Sequence, residues 1–292
     1  MTRLLRLDEQ LGARAWPVLA TPASLPLAPG DTLITCAGFE DRSTEVLRLA
    51  AAAGTSGVDV VSVQYSPRLA ENRESMVAAL CDRMGTRPEV VQYDREDPQG
   101  AADAIFRRVR GSSRIYIDIS GMSRLLVVQL VSEGLRVALG SRLSIAYTEA
   151  LEYPPTRAEV DARLASDEDP LGIMMFLSAG VFGLTIVPEL SSVAQQGQPL
   201  RVVAFPSWNT TQMAAVCSEL QASSFTIVHG RPPLSENAWR TEAIRTLNRV
   251  EALTNPEHQH ASTLDYRETL RILLNVYAEH GQQEKLVVIP TG

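Results

Sequence analysis

The feature that most constrains the fold is a regular alternation of short apolar segments with longer amphipathic ones, starting near residue 31. The short segments read as β-strands, and the segments between them read as helices, several of which stop at a glycine. The predicted strands are residues 33–39, 58–65, 89–94, 114–120, 142–150, 200–205, 225–230, 260–266 and 285–292. The predicted helices are residues 41–54, 71–85, 99–111, 125–140, 211–221, 236–253 and 268–281. This alternation predicts an α/β protein with mainly parallel sheets and helices on both faces.

Two pairs of short motifs indicate that the halves of the chain repeat one another. "SPRLAEN" (66–72) matches "RPPLSEN" (231–237), and both follow the second predicted strand of their half. "YIDISG" (116–121) matches "VVIPTG" (287–292), and both end a fourth strand. We therefore predict two tandem Rossmann-like units, although chance similarity between two generic α/β segments is the alternative. The predicted divisions are an N-terminal extension (1–29), a first unit (30–155), a connector (156–197) and a second unit (198–292), which lacks a fifth strand at its C-terminal end.

Composition and charge narrow the class of partner. The chain has 292 residues, a net charge of -7 and a pI near 5.3. An acidic protein is a poor binder of long nucleic acids, because such binding depends on neutralising phosphates. The three cysteines are far apart and form no C-x-x-C pair, which is typical of buried thiols in a reducing compartment. With no secretory signal at the N-terminus, we expect a cytoplasmic protein.

One uncharged segment, residues 170–188, approaches the length of a membrane-spanning helix. It contains three glycines, is bounded by prolines and has acidic flanks on both sides. We interpret it as a buried strand, a turn and a second strand, and we expect no membrane partner.

Ligands of open parallel sheets bind at the carboxyl ends of the strands, so the strand ends supply the candidate site residues. The end of the first strand supplies Phe39, Glu40, Asp41, Arg42 and Ser43. Asp41 or Ser43 could be an ordinary N-cap of the next helix. Arg42 lies in a first turn that favours anions, so we expect it to pair with Glu40 or with an anionic ligand.

The end of the fourth strand supplies Asp118, Ser120, Gly121, Ser123 and Arg124. The small turn and the helix N-terminus suit phosphate oxygens, since glycine lets a ligand approach the backbone and arginine offers several donors. The structural alternative is that a serine caps the helix and that Asp118 is a satisfied core carboxylate. A buried aspartate needs a partner, and Arg42 is one if the first and fourth strands are neighbours.

Other strand ends supply the remaining ligand-binding candidates: Arg68, Asn72, Glu149, Trp208, Asn237 and Thr291. His258 and His260 form an H-x-H pair that would face one way on a strand and could bind a metal ion. We see no nearby Cys or His that completes such a set, and His229 reads as an ordinary strand-end residue. We therefore predict no metal site and no catalytic residue. The chain also lacks G-x-G-x-x-G, G-x-x-x-x-G-K-[ST] and G-x-S-x-G, which excludes a conventional dinucleotide site.

The turn "DISGMSR" (118–124), the end "IPTG" (289–292) and the tandem arrangement resemble CARF domains and the related SAVED domains. This resemblance implies a sensor of cyclic oligonucleotides in bacterial antiviral systems. It also implies that Ser120, Gly121, Ser123 and Arg124 contact the ligand, with Thr291 and Gly292 in the matching place of the second unit. The family's turn usually continues with a second glycine and a lysine, where this chain has Met122, Ser123 and Arg124.

The leading hypothesis is a nucleotide-binding or nucleotide-sensing regulatory protein that is not itself an enzyme. Its partners would be a small anionic ligand and an effector protein or further copies of the chain. A second hypothesis is a nucleotide or sugar-phosphate hydrolase or transferase, in which Glu40, Asp94 and Asp118 hold a divalent cation or act as acid and base. A third is an assembly module that docks another chain on the acidic strand-end surface.

Overall fold

The structure is a computed structural model. It describes residues 16–21, 25–38, 40–66, 73–94, 99–137, 139–150, 153, 155–165, 190–192, 195–248 and 256–290. Several predictions fall outside these residues: the strand pair in 170–188 and the candidates Phe39, Arg68, Asn72, Thr291 and Gly292.

The described residues form two parallel β-sheets, which confirms the predicted fold class. The strands of the first sheet are β1 (Thr32–Cys36), β2 (Asp59–Ser66), β3 (Glu89–Asp94), β4 (Ile115–Asp118) and β5 (Leu143–Ala146). Those of the second sheet are β6 (Leu200–Phe205), β7 (Ser224–Arg231), β8 (Glu257–Ser262) and β9 (Lys285–Pro290). The first sheet has the order β3-β2-β1-β4-β5 and the second has the order β8-β7-β6-β9. The second order therefore repeats the first four positions of the first.

Helices connect the strands, as right-handed crossovers between parallel strands require. In the described part of the chain they are α1 (Glu45–Ala52), α2 (Glu74–Arg83), α3 (Gln99–Val109), α4 (Arg124–Arg136), α5 (Arg157–Ala165), α6 (Thr210–Leu220), α7 (Trp239–Leu247) and α8 (Tyr266–His280). Short 3₁₀ turns at Asp41–Thr44, Ile119–Gly121 and Ser235–Asn237 follow β1, β4 and β7.

The first sheet has an apolar core on each face because its strands are apolar at successive positions. Ile34 and Ile117 pack on one face in a cluster that includes Ile105 of α3 and Leu126 of α4. On the other face, the cluster includes Leu33 and Tyr116 with side chains of α1 and α2. Burial on both faces explains why these strands lack the alternation of apolar and polar residues that a half-exposed strand shows.

The second sheet is also covered on both faces. Val202 and Ile227 lie in a cluster with Met213 of α6. Val203 and Val228 lie in a cluster with Val276 of α8. The helices of this sheet therefore occupy both faces, as predicted.

Several elements differ from the prediction at their ends, and three further differences have a physical reason. The strand β8 begins at Glu257, three residues before the predicted start, because its sequence EHQHAS is polar and exposed at the sheet edge and carries no apolar pattern. The first predicted helix begins as the 3₁₀ turn Asp41–Thr44. The helix α5 was not predicted, since within it Val160 is the one buried residue among the side chains described.

The chain divides into two compact units, Ala20–Tyr153 and a second unit that combines Pro154–Gly292 with Met1–Leu19. The first unit holds the five-stranded sheet and the second holds the four-stranded sheet. Among the described residues, no helix is both long enough and apolar enough to cross a lipid bilayer.

Candidate functional site

The strand order brings the ends of β1 and β4 together. These strands are parallel neighbours, with Thr32 opposite Ile115 and Ile34 opposite Ile117. From β1 the chain proceeds outward to β3 on one side, and then returns to β4 on the other side, so the order switches between β1 and β4. Such a switch point is where open α/β sheets leave a crevice for ligands. The candidates after β1 and after β4 therefore share one edge of the sheet, which is called the switch edge below.

Asp118 ends β4 and is fully buried. Its Oδ1 accepts hydrogen bonds from the Ser120 backbone N–H at 3.1 Å and from Ser120 Oγ at 2.6 Å. Its Oδ2 is buried, as is Oγ1 of Thr35 on the neighbouring strand β1, and neither atom has a partner at full hydrogen-bond geometry among the described residues. Burial raises the pKa of Asp118 to about 6, against the opposing effects of Ser120, Thr35 and the charge of Arg42. Both of these hydrogen bonds are thus made by one of the two carboxyl oxygens.

Ser120 connects Asp118 to the end of β5. Its hydroxyl donates to Asp118 and accepts a hydrogen bond of 2.8 Å from the Thr148 backbone N–H. The three residues form a chain of hydrogen bonds that fixes the turn after β4 against the segment after β5. Ser120 is itself buried, so its hydroxyl is used inside the protein.

Arg42 lies on the 3₁₀ turn after β1 and is surrounded by one carboxylate and two phenol rings. Its Nε donates to Glu40 in an ion pair, and its Nη1 donates to Tyr147 Oη at 2.8 Å. The guanidinium carbon lies 5.5 Å from the ring centre of Tyr147 and 5.4 Å from that of Tyr153. The pairing with Glu40 is one of the two explanations that the sequence left open. The charge of Arg42 lowers the pKa of Asp118, although these two side chains do not form an ion pair.

Gly121 is a packing residue at the point where the turns after β1 and β4 meet. A Cβ atom at Gly121 would lie 2.8 Å from the Cys36 carbonyl oxygen and 2.8 Å from Cβ of Ser43. A Cβ atom at Gly38 would lie 3.1 Å from the same Ser43 atom. The space beside Gly121 is therefore filled by the chain itself, whereas we predicted that glycine here admits a ligand. Ser43 is buried in this contact, and its hydroxyl donates to the Glu40 carbonyl oxygen at 2.7 Å.

Ser123 caps helix α4, as the structural alternative predicted. Its Oγ accepts a hydrogen bond from the Leu126 backbone N–H at 3.4 Å. Its own N–H donates to Tyr65 Oη at 2.6 Å. Tyr65 lies on β2 and is buried, which raises the pKa of its phenol. Arg124 is the first residue of α4 and is exposed to solvent.

Two further residues of the switch edge were not identified from the sequence. Arg73 forms an ion pair with Asp41, and its backbone N–H donates to the Gly38 carbonyl oxygen at 3.2 Å. Tyr147 follows β5 and contacts Arg42, with 44% of its surface exposed. The sequence signal for Tyr147 is the pair of tyrosines in YTEALEY (147–153). Their contacts with Arg42 could not be predicted without the strand order, which places β5 beside β4.

Burial separates the candidates of the switch edge into an outer layer and a buried layer. In the outer layer Asp41 and Arg124 are exposed, and five further residues are partly exposed: Glu40, Arg42, Gly121, Ser123 and Glu149. Ser43, Asp118 and Ser120 are buried beneath them. A ligand would meet the outer layer directly, while the buried residues set the shape of the two turns.

The candidates of the second unit lie in a different environment. The Trp208 ring faces the Arg240 guanidinium at 4.9 Å and lies 5.8 Å from the Trp239 ring. Arg240 is buried and its Nη1 donates to the Pro155 carbonyl oxygen at 3.0 Å. Trp208 therefore packs against a buried cation, which agrees with the rim-packing alternative. Asn237 ends the 3₁₀ turn after β7 and is partly exposed.

As the side chains of the described residues stand, no group of three or more His, Cys, Asp or Glu could hold a metal ion. Asp94, which ends β3, is exposed, and β2 and β1 separate its strand from that of Asp118. Glu40 is occupied by Arg42. This arrangement gives no support to the three-carboxylate cation site considered from the sequence.

Comparison with known proteins assigns no family. No family model matches the chain, and no curated protein matches it. The crystal structure of acetoin dehydrogenase from Enterobacter cloacae is 11% identical, with a TM-score of 0.25 over 83% of this chain and 98% of that one. A structure described as AtPrR2 in apo form is 13% identical, with a TM-score of 0.27 over 88% of this chain and 90% of that one. Scores of this size assign neither a family nor an activity.

Proposed function

We propose that the protein binds a nucleotide or a related small phosphate ester at the switch edge of the first sheet. The observation that carries the proposal is the position of Arg42. This cation lies at the strand-order switch between β1 and β4, beside two phenol rings, in a chain whose net charge is -7. A guanidinium at such a place recognises phosphate oxygens through several N–H donors.

Neighbouring groups supply the other contacts that a nucleotide needs. Tyr147 is partly exposed, so a base can stack on an aromatic surface next to the phosphate-binding cation. Arg124 adds a second cation at the start of α4, where the helix dipole also favours negative charge. Ser123 occupies the cap position there and leaves its hydroxyl partly exposed.

The role that we propose is regulatory: ligand binding would change the interaction of the chain with a partner protein or with other copies of itself. The resemblance to CARF and SAVED domains makes cyclic oligonucleotides the first ligands to test, in a setting of bacterial antiviral defence. Mononucleotides and linear oligonucleotides form the comparison set.

Isothermal titration of the folded protein with this panel tests the proposal. We expect saturable binding of at least one member. Arg42→Gln should weaken binding by at least about tenfold, because a charge-assisted contact is lost. The matched control is Arg48→Gln, since Arg48 is an exposed arginine of α1 that pairs with Glu45 and should not affect affinity. The absence of heat for every member, or equal affinities of the two variants, would contradict the proposal.

A second candidate function rests on Asp118. Its pKa is raised to about 6, so it would suit the general acid or base of a nucleotide or sugar-phosphate hydrolase. Because Asp118 is fully buried, this function requires the turns after β1 and β4 to move and admit the substrate. Turnover of a phosphate ester that disappears in Asp118→Asn, while ligand affinity is kept, would favour the enzyme over the sensor.

A further inference from the structure

Three of the four histidines of the chain meet on one face of the second sheet. His229 lies on β7, and His258 and His260 lie on the neighbouring edge strand β8. The register places His229 opposite His260 and Ile227 opposite His258. Because side chains alternate between faces along a strand, the register directs all three imidazoles to the same side. We refer to them as the histidine cluster.

Two nitrogens of the cluster are already at the spacing of metal ligands. His229 Nε2 lies 2.9 Å from His258 Nδ1, and their rings are stacked with centres 5.1 Å apart. Bonds of 2.0–2.1 Å from a metal ion to two imidazole nitrogens separate those nitrogens by about 2.9 Å at a right angle and about 3.4 Å in a tetrahedron. A proton now joins these two nitrogens, and a metal ion can take its place.

His229 differs from its two neighbours in burial. It is 3% exposed, and its Nδ1 is buried with no hydrogen-bond partner in the ranges that the structure describes.

His258 and His260 are exposed and give the cluster access to solvent. The ring centre of His260 lies 5.3 Å from that of His229. Since no three ligand groups of the described residues surround a common point, the His260 side chain has to rotate toward the other two. Exposure of its side chain allows this rotation at little cost in packing.

We propose that the histidine cluster is a binding site for a divalent transition-metal ion of the Zn²⁺, Ni²⁺ or Cu²⁺ class. His229 Nε2 and His258 Nδ1 form a preformed pair of ligands, and His260 closes on the ion as the third. Imidazole ligands suit these ions, whereas Mg²⁺ and Ca²⁺ prefer oxygen ligands. On binding, each imidazole keeps its one proton on the ring nitrogen that does not face the ion, so the hydrogen bond between the two rings is replaced by bonds to the metal. The ion then joins the edge strand β8 to β7.

Calorimetric titration of the full chain with Zn²⁺ at about pH 7.5 tests the site. We expect saturable binding that weakens by at least about tenfold in His258→Gln and in His260→Gln. Both substituted side chains are exposed, so these variants should fold. The control is His280→Gln, which removes the remaining histidine of the chain, at the end of α8, and should leave the affinity unchanged. A second readout is the melting temperature, which Zn²⁺ should raise in the wild type and in His280→Gln, with a smaller rise in the cluster variants.

Three results would overturn the proposal. They are the absence of saturable Zn²⁺ binding by the folded wild type, unchanged affinity in either cluster variant, and loss of affinity in His280→Gln as large as in the cluster variants. Competition with Mg²⁺ provides an independent check on the ligand class, because excess Mg²⁺ should not displace Zn²⁺ from imidazole nitrogens.

Discussion

Asp118 shows what a single buried carboxyl group does to the chemistry of a strand end. One of its oxygens accepts two hydrogen bonds from Ser120, and the other is buried with no hydrogen-bond partner in the described part of the chain. Its ionised form is consequently disfavoured in the folded protein, and the pKa is raised to about 6.

The first prediction is that Asp118→Asn changes the pH dependence of stability. The folded-state pKa lies above that of an unfolded aspartate, near 3.9, so the folded protein binds more protons between about pH 4 and pH 6. The contribution of Asp118 is therefore favourable below pH 4 and is lost as the pH rises through 6. Relative to the wild type, the variant should gain about 3 kcal/mol of unfolding free energy over this range, followed by a plateau.

Urea unfolding of both proteins between about pH 4 and pH 8 measures this difference. Asp82→Asn is the control for the loss of a carboxylate, because Asp82 is exposed to solvent on α2. A constant difference for Asp118→Asn would show that its carboxyl group has the same pKa in the folded and unfolded chain.

Sequence reasoning at this scale located Asp118, Arg42 and the pairing of Arg42 with Glu40, but it missed other contacts of the switch edge. A carboxylate among apolar strand residues can be recognised in the sequence, since burial makes it unusual. Tyr65 and Arg73 could not be recognised, because they contact Ser123 and Asp41 from other strands and loops, and nothing in the local pattern marks them. The role of Gly121 was misread for the same reason: the atoms that fill the space beside it belong to Cys36 and Ser43.

At the scale of elements, the turns after β1 and β4 are held in contact by glycines. Alanine at Gly121 would place its Cβ at 2.8 Å from a backbone carbonyl oxygen, so one of the two turns would have to move. We expect Gly121→Ala to lower the free energy of unfolding by about 1–3 kcal/mol. The control is Gly100→Ala in α3, where nothing lies within 4 Å of the added atom and a gain of up to about 1 kcal/mol is expected. Urea unfolding compares them, and equal stabilities would contradict the packing role.

In the second sheet, a buried arginine joins the beginnings of the strands β6, β7 and β8. Arg201 of β6 forms ion pairs with Glu257 of β8 and with Glu284, and it donates to Thr226 Oγ1 of β7 at 3.1 Å. Its side chain is 7% exposed. Arg201→Met should lower the free energy of unfolding by roughly 1–3 kcal/mol, because the buried Thr226 hydroxyl and the two partly exposed glutamates lose the cation that pairs with them.

The matched control is Arg267→Gln, which removes an exposed ion pair with Asp265 and should cost less than about 1 kcal/mol. Chemical unfolding monitored by tryptophan fluorescence suits both variants, since Trp208 and Trp239 lie in the second unit. A cost for Arg201→Met no greater than that for Arg267→Gln would contradict the importance of the buried network.

The elements themselves were largely predictable from the sequence because apolar strands and glycine stops are local signals. The polar strand β8 was placed three residues late, since EHQHAS shows no apolar pattern and pairs through its backbone with β7. Its misplacement also concealed the histidine cluster. Only the register shows that His229 faces the H-x-H pair.

At the scale of the whole molecule, the two sheets repeat one strand order, yet their equivalent edges differ in chemistry. The first sheet presents Arg42 beside phenol rings, whereas the tryptophan that follows β6 packs against the buried Arg240. Short sequence matches were enough to suggest the repeat. They could not show this difference, because it depends on side chains that lie outside the matched motifs.

This difference predicts where a nucleotide protects the backbone. In hydrogen–deuterium exchange of the full chain, a bound nucleotide should slow exchange at residues 40–44, 119–126 and 147–150, all in the first unit. Residues 206–209 and 235–240 of the second unit serve as the internal control and should exchange at the same rate with and without ligand. Protection confined to the residues of the second unit would contradict the proposed site and would indicate that the nucleotide binds at the second sheet.

The interlocked turns after β1 and β4 have a mechanical consequence. Since a Cβ atom at Gly121 would lie 2.8 Å from atoms of Cys36 and Ser43, a displacement of the Asp41–Thr44 turn would press on Ile119–Gly121. The latter turn is joined by two residues to α4, a helix of 13 residues and about 20 Å whose far end exposes Leu135 to solvent. We expect a ligand that shifts the first turn to displace this helix and so to alter the surface around Leu135.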